Sequence, residues 1–419
     1  MKSGYVVASS LFAEQDYGQI PVETNLNMVN QLSFKKLFVY ILGLVLCCCG
    51  ACSQGTSKNK TNAAAATGGV ITTDFTFAPL SEAAAAYYKN AVETAYHKIL
   101  GPAFNGAILV AKNGVVVYED YKGYANFATK APVTPTTPFH LASVSKTFTG
   151  TTVLRLWEQG RLSLDDSVQR FIPQLPYHGI TIRMLLSHRS GLPNYLYFMD
   201  SCWNKKVKAS NEDVLQFMVQ HKPRVDNLPN KAFHYCNTNF VMLAMIVEKI
   251  TGMPFPQYMK DSVFTPLGMT HSFIFSMKDT SQYVPTYMGN RPYPMDHLDC
   301  TYGDKNVYST VQDLLLWDKA LYMHTFVKAA TLDTAYKPNS LEHRSMHNYG
   351  LGWRLFINNG DTIVYHNGKW HGTNTVFTRL VQDTATIIVL GNRFNRNIYK
   401  AKGIADVFTG KTDNNKLEE

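Results

Sequence analysis

Strand patterns sit at both ends of this chain and helix patterns fill its middle, and that layout narrows the fold more than anything else in the sequence. Near the front, AILVAKNGVVVYE is two β-branched runs meeting at Asn113-Gly114. That dipeptide is the strongest short hairpin signal, because both turn positions need positive φ. Near the back, TIVYHNG, TNTVFTRL and ATIIVLGN read as further strands, with a turn at Gln382-Asp383. Residues 160 to 300 carry helix and loop patterns instead. A helix is expected from Ala83 to Leu100, where Ala84, Tyr87, Tyr88, Ala91, Val92, Ala95 and Ile99 recur near helical spacing. A second starts at Ser143, runs through Phe148, Val153, Leu154, Leu156 and Trp157, and stops at Gly160. A last one is expected near Ile398 to Phe408. The economical fold is α/β of the α+β kind: one mostly antiparallel sheet built from both chain ends, with flanking helices and a helical insertion domain.

The 419 residues are 45% hydrophobic and 17% charged, which leaves ample material for a core. The formal charge of +9 is spread along the chain. It forms no Lys/Arg block and no nucleic-acid module, so no nucleic-acid partner is expected. Of the seven cysteines, Cys47, Cys48, Cys49 and Cys52 crowd together, while Cys202, Cys236 and Cys300 are scattered. Three cysteines make no disulfide framework, so the core must supply the stability. Which pair, if any, would bridge is open.

Lys35 and Lys36 precede an apolar run from Leu37 to Cys49, too short to span a bilayer and suited to the hydrophobic region of an export signal. Gly50 and Ala51 then precede Cys52. This resembles a bacterial lipoprotein signal, in which the cysteine becomes the lipidated first residue; Cys49 stands where leucine is usual. An ordinary cleaved signal and an uncleaved anchor are the other readings of the same run. Residues 1–52 are thus expected to be an export signal, with the start at Met28, since such signals sit at an N-terminus. Residues 53–76 are small and polar and read as a tether, and 77–412 as the folded domain. The implied location is the cell envelope or periplasm, with a membrane contact through lipid on Cys52.

Ser143, Val144, Ser145, Lys146 is a Ser-x-x-Lys at the head of the second helix. A serine hydroxyl needs a base within hydrogen-bond reach to act as a nucleophile. Residues i and i+3 share a helix face, so the two side chains meet there. A lysine serves as base when burial or a nearby cation lowers its proton affinity. The helix N-terminus adds backbone N–H groups suited to an oxyanion. The bland reading is a helix cap beside a solvated lysine. Ser33 with Lys36 and Ser57 with Lys60 match the same pattern outside any strand-then-helix setting.

Two further stretches decide between these readings. FHYCNTNF carries Tyr235-Cys236-Asn237, and IVYHNGKWHG carries His366-Asn367-Gly368 at the end of a strand pattern. Ser-x-x-Lys, Tyr-x-Asn and His-x-Gly, in that order, resemble the three motifs of the serine penicillin-recognising family. The nearest branch groups class C β-lactamases, D-alanyl-D-alanine carboxypeptidases, D-aminopeptidases and β-lactamase-fold esterases. ITIRMLLSHRSGLPNY, YSTVQDLLLW and YGLGW resemble its habitual segments too, so the likeness spans about residues 80 to 410. It implies a β-lactamase/transpeptidase-like fold and an exported serine hydrolase. The acyl donor would be a small-molecule or peptide substrate: a D-amino-acid peptide, an ester or a β-lactam.

The resemblance also implies roles. Ser143 would form the acyl-enzyme, Lys146 would take or relay its proton, and Tyr235 would be a second proton shuttle. Asn237 would bind the substrate amide or orient Lys146. The backbone N–H groups of Ser143 and Lys369 would form the oxyanion hole. Gly368 would let substrate approach the strand, and His366 would offer a donor near Tyr235 and the substrate carboxylate. Histidine at 366, where class C β-lactamases have lysine, argues for a peptidase or esterase over an efficient β-lactamase. Cys236 is read as packing. The rival from another class is a non-catalytic penicillin-binding-type protein that recognises cell-wall peptides.

No cofactor is expected. His343 with His347 and His366 with His371 lie close in sequence, but no His-Glu-x-x-His or paired Cys-x-x-Cys accompanies them, so no metal is expected either. His188 is expected to be structural. Tyr195 and Trp370 are open between cleft lining and core.

Overall fold

The computed structural model describes residues 75–410 apart from 344 and 359. The expected signal, Cys52 and almost all of the tether lie outside the described residues.

The Asn113-Gly114 hairpin is present. Strands β1 (Gly106–Lys112) and β2 (Val115–Lys122) flank the turn, with φ of 51° and 69° at its two residues, the pair of positive values a two-residue turn needs. The back of the chain supplies β3 (His347–Tyr349), β4 (Arg354–Asn358), β5 (Asp361–Trp370), β6 (Thr373–Leu380) and β7 (Ala385–Gly391). Together they form one seven-stranded sheet in the order β3-β4-β5-β6-β7-β1-β2, with every neighbouring pair antiparallel. The two chain ends join where β1 pairs β7, from Gly106↔Gly391 to Lys112↔Ala385. The sheet is therefore built from both ends, as the sequence layout requires.

Both faces of the sheet are covered, because alternate residues of the central strands enter different cores. Leu109, Ile388 and Leu390 join the larger core with Phe148, Leu243, Trp317 and Trp353. Ile108, Val110, Ile387 and Val389 join a smaller core with Val92, Tyr96 and Ile398. The smaller core lies under helix α1 (Glu82–Leu100), whose N-terminus is capped by Ser81 accepting from the Ala84 N–H at 3.2 Å. The chain closes on that core with 3-10 turns over Arg396–Ala405 and one α turn, Asp406–Thr409, rather than the single α-helix expected there.

Helix α2 (Ser145–Glu158) and helix α3 (Thr238–Thr251) are buried nearly all round in the larger core. Two polar groups of α2 are matched to the segment 303–307: the Thr149 hydroxyl donates to Gly303 O at 2.7 Å and Ser145 Oγ accepts from the Val307 N–H at 3.1 Å. The helical middle also holds short strands that periodicity did not reveal. Val307–Ser309 pairs with both Phe139–His140 and Phe273–Ile274. No helix among the described residues is long and apolar enough to cross a membrane.

Candidate active site

Ser143 lies two residues before the helix expected to begin with it. Ala142–Val144 form a 3-10 turn and α2 starts at Ser145. The turn is strained at Ala142, a non-glycine residue with φ of 49°. Several bonds hold it there. Leu141 donates its N–H to Val307 O at 2.8 Å, and its carbonyl accepts from the Thr375 hydroxyl at 2.8 Å. The Ala142 N–H donates to His140 Nδ1 at 3.1 Å, which leaves the ring proton on Nε2 to bond Asn306 Oδ1 at 2.9 Å. Burial holds His140 neutral, with its pKa pushed down to about 4.

This turn packs onto β5 at Gly368, and that contact explains the glycine. A Cβ there would stand 2.3 Å from Leu141 O, 2.2 Å from Thr375 Oγ1 and 3.1 Å from Ala142 Cβ. The family resemblance assigns Gly368 to the approach of substrate. On the side where a Cβ would stand, the space is taken by the protein's own turn, so the glycine also lets the turn before Ser143 pack against β5. Beyond Tyr365, β5 has only β6 as a strand neighbour among the described residues. Lys369 lies in that stretch with its side chain exposed.

Lys146 is fully buried, and its ammonium donates to three oxygens: Ser143 Oγ at 3.1 Å, Asn237 Oδ1 at 2.8 Å and Asp304 O at 2.8 Å. Asn237 stands at the N-cap position of α3 without capping it through its side chain, which reaches Lys146 instead. Tyr235, two residues earlier, lies with its ring centroid 5.1 Å from Lys146 Nζ. Ser143, Lys146, Tyr235 and Asn237, scattered in sequence, thus meet at one end of the sheet. Cys236 turns away from them. Its thiol donates to Leu192 O at 3.3 Å and burial pushes its pKa up to about 11, so it is packing.

His366 departs from its expected role. It is fully buried; burial first, then the charges of Arg354 and Lys146, hold it well below the usual imidazole range and therefore neutral. Its Nδ1 faces Asn367 O at 2.8 Å, a bond in which only the ring can donate, so Nε2 accepts from the Tyr349 hydroxyl at 3.1 Å. Its one donor is spent on the backbone. It offers neither a cation nor a spare N–H to a substrate carboxylate.

His188 is structural, as expected, yet it sits inside the site. It is fully buried, with φ of 56°, and its Nδ1 accepts from the Cys236 N–H at 3.1 Å. Its ring lies 4.2 Å from that of Tyr235. Tyr195 belongs to the core: its hydroxyl meets Thr301 Oγ1 at 2.9 Å, Asp304 Oδ2 at 3.0 Å and Lys305 Nζ at 2.5 Å. Trp370 is half-buried, donates to Asp299 Oδ1 at 2.8 Å and stacks under Lys305. Sequence reading assigned no role to Asp304, Lys305, Tyr349 or Arg354; only YGLGW, which opens with Tyr349 and is followed directly by Arg354, pointed toward two of them.

Asp296, Asp299 and His371 bring three donor atoms within 4.8 Å of one another. They are already matched to each other. His371 Nε2 stands 3.2 Å from Asp296 and 3.3 Å from Asp299, and although burial opposes its charge, the two carboxylates raise its pKa to about 9. A protonated imidazole between two carboxylates pairs with both through one ring nitrogen. His343 and His347 share no helix, since His347 opens β3.

A family model described as Beta-lactamase matches residues 96–407. Penicillin-binding protein 4* of Bacillus subtilis (strain 168) is 33% identical over 308 residues, covering 69% of this chain and 68% of that protein. Protein flp of Staphylococcus aureus (strain MRSA252) is 27% identical over 301 residues, covering 68% of this chain but 59% of that protein. Among solved structures, the octameric penicillin-binding protein homologue from Pyrococcus abyssi superposes with a TM-score of 0.66 at 24% identity, covering 77% of each chain. The D-amino acid amidase from Ochrobactrum anthropi SV3 superposes with a TM-score of 0.63 at 22% identity, over 77% of this chain and 97% of that one. At such identities the likeness is one of fold.

Proposed function

The chain belongs to the beta-lactamase family of serine hydrolases, and from that premise we propose that it hydrolyses a D-amino-acid peptide or a small ester through an acyl-enzyme on Ser143. The observation that carries this is the hydrogen bond from a fully buried Lys146 to Ser143 Oγ at 3.1 Å, with Asn237 and Tyr235 on the same ammonium. Ser143 Oγ attacks the acyl carbon as its proton passes to Tyr235, directly or relayed through Lys146, which gives up one proton as it takes another. The bond to the leaving group breaks as that group takes the proton, and water then releases the acyl group. Asn237 orients Lys146 and meets the substrate amide. The N–H groups of Ser143 and Lys369, on the turn and on β5, receive the oxyanion.

A neutral His366 supports the peptidase or esterase over an efficient β-lactamase, because it gives an anionic lactam no cation at that position. The relatives named penicillin-binding proteins support an envelope setting, reached through the export signal at 1–52 with lipid on Cys52.

The test is intact-protein mass over time with benzylpenicillin, an activated ester and a D-alanyl peptide ester. A mass gain or turnover that Ser143→Ala abolishes is expected. A persistent penicillin adduct would mark a peptidase, and a rapidly decaying one a β-lactamase. No Ser143-dependent reaction with any of the three would overturn the proposal in favour of a silent binding protein.

A further inference from the structure

Tyr235 is enclosed by five groups of different charge. The His188 ring lies 4.2 Å from it, Tyr349 6.2 Å and His366 6.4 Å, centroid to centroid. Lys146 Nζ stands 5.1 Å from its centroid and Arg354 Cζ 5.2 Å. Both imidazoles are buried, and each has its tautomer fixed by a backbone group: His188 Nδ1 by the Cys236 N–H, His366 Nδ1 by Asn367 O. Burial and the charges of Lys146 and Arg354 hold both neutral. The enclosure therefore contains two cations. One of them, Lys146, exchanges protons with Ser143 in the proposed reaction. The other is a guanidinium, which does not give up its proton in a protein.

Resting on the acyl-enzyme reading, we infer that Arg354 is a positioning residue for Tyr235, supplying from β4 the permanent positive charge that position 366 does not carry in this chain. A phenolate spreads its negative charge into the ring, whereas a phenol offers only its quadrupole. A cation over the ring face therefore gains more as Tyr235 passes a proton on than while it holds one. The gain is greatest where water is scarce, as it is among His188, His366 and Tyr349. In the step itself the Ser143 O–H bond breaks, the bond from Oγ to the acyl carbon forms, and the proton travels through Tyr235 to the leaving group as that group's bond to the acyl carbon breaks. Arg354 donates no proton and touches no reacting atom. Strand β4 holds the charge in the right place, because Arg354, its first residue, is in register with Tyr365 and so stands beside His366 in mid β5.

The test compares the full chain with its Arg354→Gln and Arg354→Lys variants, using p-nitrophenyl acetate as the acyl donor. Arg354→Gln is expected to lower kcat about tenfold or more while leaving KM within about twofold, as for a charge felt mainly in the transition state. Arg354→Lys is expected to recover most of the loss, with the melting temperature of both variants close to that of the parent. Unchanged kcat in Arg354→Gln would overturn the inference. So would a loss that Lys does not recover, or one that tracks a fall in melting temperature, since each indicates a merely structural arginine. Absence of Ser143-dependent turnover in the unaltered chain is a separate result, and it would remove the acyl-enzyme reading together with this one.

Discussion

At the scale of single residues, Lys146 is the side chain whose surroundings are most completely specified. It spends its three donors on Ser143, Asn237 and Asp304 O, and none of its surface is exposed. Lys146→Met keeps the volume but removes every donor. It leaves Asn237 Oδ1 and Asp304 O without their bond, a loss of about 1–3 kcal/mol for a buried acceptor. Acyl transfer is expected to fall about 10²- to 10⁴-fold, the usual worth of a positioned proton-transfer group. Acylation kinetics beside a melting curve check this, and a rate within tenfold of the parent would remove Lys146 from the reaction. The four residues that meet here were legible from their motifs, because each motif encodes a local geometry. The charge of His366 was not legible, because it depends on burial and on Arg354, which the fold alone brings together.

At the scale of elements, the contact of the Ala142–Val144 turn with β5 is what sets Ser143 against the strand. Gly368→Ala puts a methyl where Leu141 O and Thr375 Oγ1 already stand, so turn and strand must separate. A loss of about 1–3 kcal/mol is expected, as for overpacking, and acylation by benzylpenicillin or an ester should fall with it. Normal acylation in Gly368→Ala would show that the close packing is not what positions the nucleophile. Much of the element inventory was legible: the hairpin carries its own turn chemistry, and α1 has regular spacing. The short strands β3 and β4 and the pairing of Val307–Ser309 were not. They are five residues or fewer, too short for a period to declare itself, and they exist because neighbouring strands offer partners. The 3-10 turn at Ser143 was hidden for a similar reason. Its strained Ala142 is held by Val307, Thr375 and His140, all supplied by the surrounding fold rather than by the motif.

At the scale of the whole molecule, burial of three neutral imidazoles gives stability a direction in pH. His140 is held at about 4, and His188 and His366 well below the ordinary value near 6.5. The unfolded chain takes up protons below pH 6.5 that the folded one refuses, so their contribution is complete above 6.5 and drains away as pH falls. His371, raised to about 9, acts the other way: its contribution is complete below 6.5 and is lost as pH rises toward 9. Three buried groups against one predict a loss of about 2–3 kcal/mol between pH 6.5 and 5.5, with little change between 6.5 and 7.5; the half-buried His324, also lowered by desolvation, acts in the same direction as the three. Denaturant midpoints across that range check it, and a flat acid side would mean that these imidazoles take protons in the folded state. The sheet that joins the two ends has a consequence in time as well. Gly106 finds Gly391 only after nearly the whole chain exists, and closing so long a loop must precede the contacts that reward it. Until residue 391 has been synthesised, the first hairpin has its outer edge bare and no sheet to complete. The nascent chain cannot lock early, and it stays open to threading or to chaperones until its final strand is delivered.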